Sequence, residues 1–78
     1  MWMIVCNIYD KKSKNMIDSY LICGGYETKR EAKDDIGNFK ELGEMEKALE
    51  YISNADYSSF AIPVVKENLI PKIEVERC

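Results

Sequence analysis

Hydrophobic and polar residues along the first part of this chain alternate with a period of two. From Trp2 to Tyr9, Trp2, Ile4, Cys6 and Ile8 fall on one side and Met3, Val5, Asn7 and Tyr9 on the other. That is the spacing of a β-strand. Both sides are largely apolar, which predicts a central strand or one covered twice. The polar run DKKSKN, Asp10 to Asn15, predicts a turn whose lysines form a solvated loop tip. Met16 to Cys23 then predicts a second strand returning antiparallel to the first. With Tyr9 opposite Met16, Cys6 faces Ser19. Asp18 and Ser19 interrupt the apolar pattern, so this strand has a partly exposed face. Gly24-Gly25 ends it.

The period then lengthens. In ETKREAKDDIGNFKELG, Glu27 to Gly43, the residues Ala32, Ile36, Phe39 and Gly43 recur at four, three and four positions, one face of a helix. Thr28 with Glu31 forms a capping box, and the helix is predicted over 29–42. Gly43 is expected to close it in a left-handed conformation. A second helix is predicted from Glu44 to Ser53, with Met45, Ala48, Leu49 and Ile52 as its buried stripe. One helix kinked at Gly43 fits the same pattern. The 27–43 stretch reads as the element around which the rest is arranged.

Alternation returns in Tyr57 to Val65, which predicts a third strand; Pro63 confines it to a sheet edge or a bulge. Lys66-Glu67-Asn68 turns the chain. Leu69, Pro71, Ile73 and Val75 share one face of a possible fourth strand, opposite Lys72, Glu74 and Glu76, and Pro71 places it too at an edge. The fold class is α+β: one domain, 1–78, with a small antiparallel sheet of three or four strands in the order β-β-α-α-β-(β). One kinked helix or two short ones pack on one face of the sheet.

Composition narrows the function. No apolar run approaches the roughly 20 residues that span a bilayer. MWMIVCNIYD lacks the basic leader and cleavage site of a secretion signal. Three cysteines, none in C-x-x-C spacing, and no histidine argue for free thiols in a reducing cytoplasm and against a zinc site. The formal charge of −3 lies wholly in residues 27–50, which hold eight acids and five bases, while the remainder balances at six each. Direct nucleic-acid binding needs a basic footprint, so it is not expected. A serine or cysteine nucleophile usually needs a histidine base, and none exists. Asp34 and Asp35, as helix neighbours, point about 100° apart, a poor carboxylate pair for acid–base work. Neither enzyme activity, a cofactor nor a bound metal is expected.

What stands out is an acidic line opposite the apolar face: Glu31, Asp34, Asn38 and Glu41, with Glu27 extending it just ahead of the helix. Steps of three and four residues at about 1.5 Å each space the helical members about 4.5–6 Å apart. Such a row suits a basic groove on a partner, with charge steering the encounter. Five tyrosines and one tryptophan are many for this length, and both residue types favour interfaces. Tyr26, beside the acidic helix, and Tyr57, at the third strand, are the interface candidates.

Three passages carry a resemblance: the start directly into a strand, MWMIVCNIYD; the passage GGYETKREAKDDI into an acidic helix; and the terminal SSFAIPVVKENLIPKIEVE. In these the chain resembles, by type, small accessory proteins of phages and mobile elements, among them the anti-CRISPR and other anti-defence classes. The resemblance implies a protein that binds and blocks a larger host protein in the host cytoplasm. The function expected is thus a non-enzymatic interaction module, an inhibitor or modulator acting through an acidic helix face. A structural homo-oligomer, such as a homodimer through edge strands or the outer sheet face, is the alternative. A small-ligand or nucleotide binder using the Gly24–Tyr26 turn is the other.

Overall fold

The computed structural model describes residues 1–41 and 43–78; the side chains of Lys40 and Glu41 lie outside what is described. Strand β1 (Trp2–Asp10) lies in the middle of a three-stranded antiparallel sheet, between β2 (Met16–Tyr26) and β3 (Leu69–Arg77). Helices α1 (Lys29–Glu41) and α2 (Glu44–Asn54) connect β2 towards β3. The chain is thus a small α+β domain of order β-β-α-α-β.

The two-sided apolar pattern of β1 has its expected consequence. Ile4, Cys6 and Ile8 are fully buried under the helices, and Val5 and Asn7 are 3% and 1% exposed on the opposite face. Burying isoleucines such as Ile4 and Ile8 contributes about 1.5–3 kcal/mol apiece. Two apolar clusters share the helix side of the sheet. One joins Ile4 and Ile73 to Ala32 of α1; the other joins Cys6, Ile8 and Leu69 to Ala48 and Ile52 of α2. The organising element is therefore β1, which pairs along its length with both neighbours, rather than the 27–43 stretch.

The hairpin register departs from a simple ladder. Tyr9 does face Met16, but a bulge follows, so Cys6 faces Tyr20 and Asn7 faces Ser19. The shift re-aims a polar pair onto one face: the Ser19 hydroxyl donates to Asn7 Oδ1 at 2.7 Å.

Both helices form where their periodicity predicts, and as two rods. The Glu31 amide donates to Thr28 Oγ1 at 3.2 Å, which is the cap at the start of α1. Gly43 adopts φ 79°, a left-handed residue that turns the chain into α2. The stripe of α2 is narrower than expected. Ala48 and Ile52 are buried, but Leu49 is 57% exposed. The α2 carboxyl end carries no basic residue of its own. Lys66 supplies the charge from outside, donating to the Ser53 and Ala55 carbonyls at 2.8 and 2.6 Å, where a cation meets the negative end of the helix dipole.

Tyr57 to Val65 is not a strand. Asp56 accepts the Ser58 amide at 2.9 Å, and the Phe60 amide returns to the Tyr57 carbonyl at 3.3 Å, so the segment starts as turns. Beyond them the chain runs outside the sheet, with Ile62 80% exposed. Both edges of β1 are already taken, the second by β3. That strand keeps the face predicted for 69–75: Leu69, Pro71 and Ile73 are buried, and Pro71 sits on an edge strand as its missing amide requires.

Candidate functional site

The outer face of α1 is built from the end of β2 onward. β2 is not ended by Gly24-Gly25, as the sequence suggested, but runs through them to Tyr26, which pairs with Trp2; Gly25 bends there at φ 85° and leaves Tyr26 against the helix. The Tyr26 hydroxyl donates to Asp35 Oδ2 at 2.5 Å, and Asn38 Nδ2 donates to Asp35 Oδ1 at 2.6 Å. These two donors, Tyr26 first and Asn38 second, hold the Asp35 carboxyl below the usual carboxylate range. The same bond to Asp35, with lesser desolvation, pushes the Tyr26 phenol up. At the first turn, Lys29 Nζ lies 5.5 Å from the Trp2 ring centre, and Arg77 lies 5.3 Å from it. A cation–π contact thus ties α1 to the end of β1.

Glu27, Glu31 and Asp34 stand exposed on this face, as does Asn38. Among the described residues the one ion pair joins Lys47 to Glu44 on α2, so these three carboxylates meet none of the described cations at ion-pair distance. Asn38 is not a free member of the line, because its amide is committed to Asp35. The Glu41 side chain lies outside the described residues. Asp35, which sequence spacing left off the line, is its most firmly held carboxylate.

Tyr57 does not belong here. It is 9% exposed and sits in the cluster under α2, which corrects its assignment to an interface. Its hydroxyl donates to Asp18 Oδ2 at 3.0 Å, and Tyr51 donates to the same oxygen at 2.8 Å. Burial, and then the bond to Asp18, pushes the Tyr57 phenol up. Tyr51 also packs on Tyr20 with ring centres 4.6 Å apart. The tyrosine surplus visible in the sequence is thus largely a set of hydroxyl-to-carboxylate clamps. Asp18 and Ser19, read only as interruptions of an apolar strand, were the signal for one of these clamps and for the polar cluster described next.

A third polar group occupies the helix-free face of the sheet. Asn7 Nδ2 donates to Glu74 at 3.0 Å and to Glu76 at 2.9 Å, while Tyr9 donates its hydroxyl to Glu74. Lys72 Nζ lies 5.4 Å from the Tyr9 ring centre. Tyr9 first, and Asn7 second, hold the Glu74 carboxyl below its usual range.

For chemistry the thiols offer little. Cys6 is fully buried, and burial pushes its thiol up, away from the reactive thiolate. Cys23 is half-buried and Cys78 exposed, both free. Among the described residues no group of three or more cysteine or acidic side chains is placed to hold a metal ion. No helix among them is long and apolar enough to cross a membrane.

Comparison with protein families, with curated proteins and with solved structures gives no match. Fold and surface together define a small α+β domain with a braced helix on one side of its sheet, formally neutral as a whole but with Glu31 and Asp34 exposed on its outer face.

Proposed function

We propose that this protein is a non-enzymatic interaction module of the cytoplasm, an inhibitor or modulator of a larger protein, of the anti-defence kind carried by phages. It docks a basic surface of that protein on the outer face of α1. One observation carries the reading: Glu31 and Asp34 are exposed on a helix, with Glu27 exposed just ahead of it, and the helix is fixed at its start by Thr28 and along its length by the Tyr26–Asp35–Asn38 network. Carboxylates on a braced element, paired with no described cation, steer and orient an encounter with a basic surface. Tyr26 contributes by holding the helix, and Asp35 adds a carboxylate that stays ionised. Affinity capture from host lysate tests the reading. Glu31→Lys with Asp34→Lys is expected to lose the partner that the unaltered chain retains, and salt is expected to weaken its capture. Equal capture by both chains dismisses the α1 face.

A second reading, a homodimer through the outer sheet face, draws on Leu21, which is 61% exposed and pairs with Val5 of that face. Sedimentation of Leu21→Glu against the unaltered chain separates the two: a dimer lost on substitution favours the sheet face.

A further inference from the structure

We propose a second docking surface, distinct from α1: a groove that takes an extended apolar segment of a partner protein bearing carboxylates. It lies between the β1–β2 turn, the start of β2 and the chain that passes outside the sheet. The groove encloses about 600 Å³. Met16 and Ile17 form one apolar side, and Phe60, Ile62, Pro63 and Val64 the other. Ile62 is 80% exposed, Met16 54% and Phe60 42%. Isolated exposed apolar residues are ordinary on a surface, but several around one groove mark an interaction site.

The rim decides the chemistry of the occupant. Asp10, Ser13 and Asn15 of the turn line the groove; Lys11, Lys12 and Lys14 alternate with them along the chain and are exposed beside the lining, not in it. The turn is a fixed scaffold. Asp10 accepts the Lys12 and Ser13 amides through its carboxylate, at 2.8 and 3.3 Å. Its backbone binds Lys14 and Asn15, and Lys14 sits at φ 66°. Three lysines against Asp10 give the turn that borders the groove a surplus of positive charge in a chain of net −3. Among the described residues no carboxylate lies at ion-pair distance from these lysines. An apolar segment flanked by glutamate or aspartate therefore satisfies both floor and rim.

An extended occupant is favoured because β2 is an edge strand, with no strand on its outer side, and an extended peptide extends such an edge. A second copy of this chain fits worse: a two-fold contact of groove on groove brings two lysine rims into one interface. The α1 face of another copy would supply acid but leave the apolar walls uncovered.

Two labelled peptides test this by fluorescence anisotropy against the full chain: alternating valine and threonine flanked by glutamates, and the same core flanked by lysines. The glutamate peptide is expected to bind saturably, and the lysine peptide roughly tenfold more weakly, with a gap that narrows in salt. Ile62→Glu abolishes binding of the glutamate peptide. Because Ile62 is so exposed, its circular dichroism melt stays unchanged. Lys12→Glu with Lys14→Glu reverses the preference. Glu31→Lys with Asp34→Lys leaves peptide binding intact, which keeps this test separate from that of the α1 face. Equal affinity for the two peptides, no saturation by either, or binding that survives Ile62→Glu overturns the proposal. So does a dimer in light scattering that Ile62→Glu dissolves, which assigns the groove to a second copy.

Discussion

Asn7 is the buried polar residue of β1, and its amide spans three neighbours: it donates to Glu74 and Glu76 and accepts from Ser19. Replacing it removes the donor shared by two carboxylates on the same face of β3. Asn7→Ala is expected to destabilise the fold by about 1–3 kcal/mol, the usual penalty for unpaired buried polar groups, read from urea denaturation. The Glu74 carboxyl titrates lower in the folded chain than its ordinary value of 4.5, chiefly through Tyr9. A depressed folded pKa gives stability that is present above the unfolded value and lost as pH falls through the folded one. Stability should therefore decline as pH drops below about 4.5, and Tyr9→Phe should make that decline shallower. An unchanged acid limb in Tyr9→Phe contradicts the assignment. Of this network the residues alone showed only that Asn7 and Ser19 break apolar strands, not what they bind. Asn7 reads as a polar interruption until the bulge puts Ser19 opposite it and β3 brings the two glutamates alongside.

The two helices show the scale at which sequence says most. Period, capping threonine and left-handed glycine act within one or two turns of chain, so both rods could be placed before any tertiary contact was known. Their glycines make a paired prediction. Gly43 sits at φ 79°, where a side chain is strained, whereas a methyl group at Gly37 meets nothing within 4 Å on an exposed helical face. Gly43→Ala is expected to cost about 1–2 kcal/mol and Gly37→Ala to gain up to about 1 kcal/mol, both read from thermal melts. Two melts shifted in the same direction contradict this account of the junction. Residues 57–65 show what local pattern cannot reach. Phe60, Ile62 and Val64 alternate as convincingly as Leu69, Ile73 and Val75. Alternation does not say which segment wins the one remaining edge of β1. Both segments carry a proline, so the turns after Asp56, not Pro63, set the first segment apart. Leu49 failed for a related reason: helical spacing marks a stripe, not its width.

Across the whole molecule, all five tyrosine phenols are pushed above their ordinary value of 10. Hydrogen bonds to carboxylates lead for Tyr9, Tyr26 and Tyr51, and burial leads for Tyr20 and Tyr57. Raised folded values mean stability that is full below about pH 10 and lost as pH rises beyond it. Tyrosinate absorbance in the native protein should lag behind that of the urea-unfolded chain and rise with unfolding; superimposable titrations contradict the clamps. The exposure of Glu27, Glu31 and Asp34 was legible, because carboxylates opposite an apolar stripe have nowhere else to go. The fate of Tyr57 was not, because its partner Asp18 lies 39 residues away in sequence. The central claim, that the α1 face is the surface by which this protein acts, is tested most directly by carbodiimide footprinting of its carboxylates in host lysate and in buffer. We predict protection of Glu27, Glu31 and Asp34 in lysate, with Glu50 and Glu67 labelled equally in both. Undiminished labelling of these three carboxylates would contradict it.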